Sequence, residues 1–425
     1  MKGPDLTSRL LLLFSLCFAS VQAENIRVTF PAERQKLPSI EQTYVIGAVD
    51  PGRTELLYVN GVTTDVWRTG AFLAMVPVTP GTNTLTVCRG RERLVRKFVV
   101  TEPAKPGSWK RFEPVESDDD PRLGAPCAWK TTGSVFQNRV RTEPDGGDST
   151  SFLPTGFLLC GAELKESTWV AVWLENRIGY LPKTMLERVP KEPLPSRGLI
   201  APDPAEGFPD KPPYGKPPSS VRVYVDAGHG GADVGALAPH GWMEKDVNLM
   251  QARAIRDALE KAGFQVLMTR DGDSFPKLMD RPLWAYEERV DAFISVHHNA
   301  TAPQRNPREA RHTTTYASNE KGLVLAKAIQ KHVAQVVAPV KDAGAQLKSL
   351  AVCRNPAVPS CLLEVDFINL PEGEEDSWNL ERQRKIADAV VCGLLDWMTE
   401  PPRAPALEIR PVQRADPATL DLLKP

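Results

Sequence analysis

Net charge is almost absent from this chain: across 425 residues, 52 basic and 53 acidic side chains leave −1. That balance offers no bulk electrostatic case for nucleic acid or an anionic membrane, and no nucleic-acid partner is expected. Long apolar runs are scarce too. The run at residues 10–19 is too short for a comfortable membrane span. Lys2 and Arg9 before it and the small-x-small triplet Val21-Gln22-Ala23 after it make it read as a signal peptide, residues 1–23. The mature chain is then expected to be exported, periplasmic or extracellular. Leu16 precedes Cys17 where lipoprotein signals carry a small residue, which argues against lipidation. Cysteine is sparse, with seven in all and six after residue 23. Export permits disulfides without demanding them. Cys127 with Cys160 is the favoured pair and Cys353 with Cys361 a second, each weighed equally against free thiols.

Proline, by contrast, is abundant at 39 residues and gathers between the stretches that can fold. The length suggests two to four domains. Residues 24–103 read as short strands: Ile26-Arg27-Val28-Thr29-Phe30 alternates, and Asn60-Gly61 and Pro80-Gly81 supply turns. The spacing suggests a small β-sandwich, and the composition resembles immunoglobulin-like modules. After an acidic, proline-containing link, residues 122–189 are again β-rich. Residues 169–174 and 177–181 form a hairpin pattern resembling the end of an SH3-like β-barrel. Trp169, Trp173 and Tyr180 there are either core or a surface platform. Residues 190–219 hold ten prolines between 190 and 218 and read as an extended, semi-rigid linker. Residues 400–425 read as a disordered tail.

Residues 220–399 differ in kind. Strand patterns at 221–225, 265–269, 292–296 and 360–365 alternate with helical patterns at 247–262, 278–290, 323–337 and 380–398. Alternation of this sort predicts an α/β domain with a mainly parallel sheet covered by helices, preceded by the two small all-β domains.

In such sheets ligands bind beyond the carboxyl ends of the strands. Asp226-Ala227-Gly228-His229-Gly230-Gly231 leaves the first strand there, with glycines on both sides of His229 so that a ligand can approach. Glu244 lies just before the next helix and His297 ends the third strand, so the three can converge. Two imidazoles and one carboxylate suit a single Zn²⁺ and leave a fourth position open. Taken singly, Glu244 is equally well a helix-start carboxylate favoured by the dipole, and His298 competes with His297, since neighbouring strand residues face opposite ways. Glu364 interrupts the apolar strand Cys361-Leu362-Leu363-Glu364-Val365. Burying an unpaired carboxylate costs several kcal/mol, so Glu364 is either salt-bridged or a general base with a raised pKa.

Together, residues 226–235, Glu244-Lys245-Asp246-Val247, Thr269-Arg270, residues 278–281, Phe293-Ile294-Ser295-Val296-His297 and residues 359–365 resemble the zinc-dependent N-acetylmuramoyl-L-alanine amidase family. The resemblance covers the last domain. It implies His229, Glu244 and His297 as zinc ligands, with His297 chosen over His298, and Glu364 as the catalytic carboxylate. Arg281 matches a family position and is read as anchoring its helix. The implied activity is hydrolysis of the amide between N-acetylmuramic acid and L-alanine, with peptidoglycan as partner and a protein activator as a possible second one. A zinc peptidase acting within the stem peptide and a non-catalytic wall-binding protein are the alternatives. Asp366 stands where the family usually has glycine. Two residues from Glu364 on one strand, it is expected to share that face and to raise the Glu364 pKa or alter the cleft.

Overall fold

The computed structural model describes residues 25–103, 112–117, 119–144, 149–174, 177–197 and 199–399. Residues 1–23, expected as a signal peptide, and residues 400–425, expected as a disordered tail, lie outside these. Among the described residues no helix is long and apolar enough to cross a membrane.

The first strands form two sheets. One orders Ile26–Phe30, Gln42–Val49 and Ala71–Pro77; the other contains Lys36–Leu37, Glu92–Val100, Gly81–Arg89, Leu57–Val59 and Val62–Thr64. Their inner faces share a core that includes Val28, Val45, Phe72, Leu85, Val87 and Phe98. Strand Gln42–Val49 is buried almost throughout because its outer face is covered as well. Tyr44, Ile46 and Leu73 pack there against Phe367 and Leu370 of the C-terminal unit.

A seven-stranded sheet follows between residues 127 and 188. Trp169, Trp173 and Tyr180 are buried in it at 5%, 6% and 1% exposure, which makes them core. The Tyr180 hydroxyl accepts a hydrogen bond from the Val115 amide. All six cysteines after residue 23 are free thiols. Register explains the unmade pair: Cys160 opposes Ala128 on the neighbouring strand, so Cys127 turns to the other face. Cys353 and Cys361 are likewise separated, since they belong to cores on opposite sides of the C-terminal sheet. The proline-rich stretch is not free of its neighbours. Leu199 and Ala201 pack on the seven-stranded sheet, and Phe208 stacks on Tyr286 at 5.0 Å between ring centres.

The C-terminal unit has six strands, β1 (Arg222–Ala227), β2 (Gln265–Met268), β3 (Ala292–Asn299), β4 (Thr313–Ala317), β5 (Asp342–Leu347) and β6 (Ser360–Phe367). Its helices are α1 (Glu244–Lys261), α2 (Asp280–Glu287), α3 (Pro307–Ala310), α4 (Glu320–Val336), α5 (Pro371–Ser377) and α6 (Leu380–Trp397). The sheet order is β2-β1-β3-β6-β4-β5. The sheet is mixed: β4 runs antiparallel to β6, and the other neighbours are parallel. Strands β4 and β5 escape the sequence pattern because Thr-rich and Gly-containing segments lack an apolar run.

Alternation along β1, β3 and β6 gives the two faces. Val223, Val225, Ile294, Val296, Cys361 and Leu363 meet α1, α4 and α6 on one side. Tyr224, Phe293 and Leu362 meet α2 and the segment around Val352 on the other. Helices α4 and α6 cross closely at Gly393, where an added Cβ would lie 2.6 Å from Ile329 Cα and 3.0 Å from Ala328 O. Alanine gains up to about 1 kcal/mol of helix propensity over glycine, but a clash with backbone is not relieved by rotating a side chain. Gly393→Ala is therefore expected to destabilise the protein by about 1–3 kcal/mol. Urea unfolding measures this, and an unchanged or raised midpoint would contradict the packing described.

Candidate metal centre

Strand β1 ends in a loop that the chain can follow only with unusual backbone. His229 has φ of +60°, a left-handed conformation that costs a non-glycine residue energy and persists only where the surrounding structure holds it. Gly228 is required by contact, since a Cβ there would sit 2.3 Å from the His297 ring. Gly235, at φ +66°, passes so near Glu244 that a Cβ would meet Oε2 at 2.6 Å.

Beneath this loop lies a polar brace. Asp226 is fully buried; its Oδ1 accepts from Thr269 Oγ1 and Arg281 Nη1, and its Oδ2 from Ser295 Oγ, all at 2.6 Å. Arg281 also donates to the carbonyls of Ala227 and His229 at 2.8 Å. Arg270 donates to the carbonyls of Ala227, Gly228 and Lys245. The carbonyls of the loop are thus held by two guanidinium groups. Arg281 anchors the loop as well as its own helix, and the part played by Arg270 carries no signal in sequence beyond its place in the motif.

Glu244 opens α1, three residues earlier than the pattern from Val247 suggested, and its carboxylate is the meeting point. Its Oε1 lies 3.0 Å from His297 Nδ1 and accepts from Asn248 Nδ2 at 3.1 Å and from the His298 amide at 3.2 Å. Its Oε2 lies 3.2 Å from His229 Nε2 and accepts from the Ala236 amide at 2.9 Å. One donor atom from each of His229, Glu244 and His297 falls within 4.8 Å of the others. Burial opposes ionisation of Glu244, but the two imidazoles outweigh it and hold the carboxyl well below the usual range. Burial also opposes charging of His229, and Glu244 and Asp233 outweigh it, raising that histidine to about 9.

This donor set fits a divalent cation. The cluster concentrates a buried carboxylate and two imidazoles on one point, and the far nitrogen of His229, Nδ1, lies 3.0 Å from Asp233 Oδ2, which fixes the ring with Nε2 toward Glu244. Two ligands about 2.0–2.1 Å from a tetrahedral zinc lie about 3.3 Å apart, close to the 3.2 Å between His229 Nε2 and Glu244 Oε2.

His298 faces the other way. Its Nδ1 lies 2.9 Å from Asn248 Oδ1, and burial lowers it to about 4, so it is neutral and outside the cluster. Glu364 is paired in register with His297 across β3 and β6, on the same face of the sheet. Its Oε2 is buried and has no hydrogen-bond partner. Burial pushes its pKa up to about 7, with His297 pulling it down and the Glu244 charge pushing it up.

Residues 223–396 match the family described as N-acetylmuramoyl-L-alanine amidase. An uncharacterised protein of Bacillus subtilis is 31% identical over 179 residues, which are 42% of this chain and 85% of the relative. The chain belongs to the N-acetylmuramoyl-L-alanine amidase family. The endolysin of Bacillus phage SPP1 is 38% identical over 154 residues, 35% of this chain and 56% of the endolysin, so the chain spans little more than half of that relative. Among solved structures, an N-acetylmuramoyl-L-alanine amidase of Nostoc punctiforme is 30% identical, covering 42% of this chain and 97% of its own, with a TM-score of 0.40. These matches concern the C-terminal unit alone.

One expectation from the amidase pattern fails. Asp366 does not share the face of Glu364. The register passes from His297↔Glu364 to Asn299↔Phe367, so β6 carries an extra residue there and alternation is lost. Asp366 is instead buried against Arg311, at 2.9 and 2.7 Å, and Arg382, at 2.9 Å. Burial favours its neutral form, but the two arginines outweigh that and hold it below the usual range. Asp366→Asn leaves both guanidinium groups short of a buried partner and is expected to cost about 3–5 kcal/mol at neutral pH. Because the folded pKa is depressed, the contribution is present above the unfolded aspartate value, about 3.9, and is lost as pH falls through the folded one. Melting curves across pH should show the gap between variant and parent closing in acid. Equal melting temperatures at pH 7 would contradict the pairing.

Proposed function

We propose that the C-terminal unit hydrolyses the amide bond between N-acetylmuramic acid and L-alanine in peptidoglycan, with His229, Glu244 and His297 holding one zinc ion and Glu364 as general base. Membership of the amidase family supports the bond cleaved. The observation that carries the mechanism is the carboxylate of Glu364, one oxygen of which is buried without a hydrogen-bond partner, in register beside His297 of the His-Glu-His cluster. A zinc ion held by those three residues would polarise the lactyl carbonyl and lower the pKa of an attacking water.

Glu364 supplies the proton transfers. A carboxyl whose burial opposes charge takes a proton from water more readily than an exposed one, and gives it back more readily than a strongly basic group. It receives the proton as water adds to the carbonyl carbon. It returns it to the amide nitrogen as the C–N bond breaks and the L-alanine amino group departs. Asn248 holds Glu244 through one amide hydrogen and His298 through its oxygen, keeping the carboxylate oriented. Asp226, Arg270 and Arg281 keep the His229 loop in place.

The reading extends to the rest of the chain. Residues 1–23 are proposed to direct export, which would bring the enzyme to its substrate in the periplasm or outside the cell. Residues 24–103 and 122–189 are proposed to be an immunoglobulin-like and an SH3-like unit, and a protein activator remains a proposed partner.

Replacing Glu364 by Gln keeps the shape and removes the base. Turnover is expected to fall about 10²- to 10⁴-fold or more, while one zinc per chain is retained. Mass spectrometry of the material released from purified peptidoglycan reads the bond directly. Stem peptides that begin at L-alanine are expected from the parent and not from the variant. Release of shortened peptides would point to a peptidase instead, and full activity in the variant would remove Glu364 from this role.

A further inference from the structure

Residues 230–243 join His229 to Glu244, and their far part is a small closed turn. Leu237 pairs with Met243, the Ala238 amide donates to the Trp242 carbonyl at 2.9 Å, and the Gly241 amide to the Ala238 carbonyl at 2.8 Å. This turn is held from outside the C-terminal unit. From the first strand, Arg27 Nη1 donates to the His240 carbonyl at 2.7 Å and Thr29 Oγ1 to the Pro239 carbonyl at 2.6 Å.

His240 itself bridges three segments. Its amide donates to Glu374 Oε1 at 2.8 Å, its Nδ1 lies 2.8 Å from Glu374 Oε2, and its Nε2 lies 3.1 Å from the Thr69 carbonyl. Both ring nitrogens face oxygen acceptors, an arrangement only the imidazolium satisfies. Glu374, on α5, is 1% exposed, so that imidazolium is the counter-charge to a buried carboxylate. The ring stacks on Trp242 at 5.5 Å, and Trp242 meets Trp378 edge-on at 4.9 Å.

The near end of the same loop is tied to Glu244. The Ala236 amide donates to Glu244 Oε2, and the Glu244 amide donates back to the Ala236 carbonyl, both at 2.9 Å. Ala236 immediately precedes the 237–243 turn that the N-terminal strands grip.

We propose that the N-terminal β unit is a positioning clamp for the metal centre: Arg27, Thr29 and the Thr69 carbonyl fix the 237–243 turn, and the turn fixes Glu244. The inference rests on the reading of His229, Glu244 and His297 as a zinc site. In this account the first β unit is part of the catalytic framework, and its role does not require that it bind the wall. Arg27 and Thr29 are positioning residues, acting through the backbone of the turn and touching neither metal nor substrate.

The test uses the mature chain and the double variant Arg27→Met, Thr29→Val, which leaves every residue of the C-terminal unit unchanged. Gln42→Ala is the control, because it cuts a different bond between the units, from Gln42 Nε2 to the Gln304 carbonyl. Zinc affinity is read by competition with a chromophoric chelator, and amide exchange is read over residues 236–243. The double variant is expected to bind zinc about tenfold more weakly, the scale of losing an outer support of a ligand, and to exchange faster over that segment. The control should match the parent in both. His240→Gln, which keeps one of the two side-chain bonds, should fall between. Parental zinc affinity in a folded double variant would overturn the clamp. A parent that binds no zinc would overturn the metal-site reading and the clamp with it, and so marks a different failure.

Discussion

Everything at the carboxyl edge of the C-terminal sheet turns on the burial of one carboxylate. Glu244 is 5% exposed, and an isolated charge in that position would cost several kcal/mol. It is kept ionised by the imidazoles of His229 and His297 and by donors from Ala236, His298 and Asn248. Those groups arrive from three parts of the chain. The loop after β1, the first turn of α1 and the end of β3 are therefore constrained together. The α1 N-terminus adds its own favourable field for a negative side chain.

Supports radiate outward from that point. Asp226 gathers Arg281, Thr269 and Ser295 under the His229 loop, and Arg270 fastens the same loop from the side. Asp366 with Arg311 and Arg382 does comparable work behind β6, away from the reactive face. The contrast between the two acidic residues of β6 is instructive. Glu364 has an oxygen with no partner and a raised pKa, whereas Asp366 is fully paired and depressed. Asp366 is the more deeply buried of the two and is still the one held ionised, because only it meets guanidinium groups.

Much of this was legible in the chain itself. Glycines flanking His229, a carboxylate at a helix start and a histidine at a strand end define the cluster, because strand ends in α/β sheets meet at one edge. The polar interruption of an apolar strand marks Glu364 for the same reason. What escaped has physical causes. Strands β4 and β5 lack apolar runs, so periodicity is silent there. The face of Asp366 was misjudged because a bulge breaks the two-residue repeat, and a bulge in β6 leaves no mark in composition. Register keeps Cys127 from Cys160, and Cys353 and Cys361 lie on opposite sides of a sheet; sequence distance encodes neither. The grip of Arg27 and Thr29 on the 237–243 turn joins residues more than 200 positions apart through carbonyl groups, and backbone acceptors are invisible to any reading of side-chain types.

The claim on which the account stands is that His229, Glu244 and His297 form one metal site. X-ray absorption at the zinc edge, on protein purified without added metal and reconstituted with one equivalent, measures it directly. The account predicts one tightly held zinc per chain with nitrogen and oxygen neighbours at about 2.0–2.1 Å and no sulfur, and loss of that signal in a Glu244→Ala variant. A zinc bound through thiolate sulfur, or an unchanged spectrum in that variant, would contradict it.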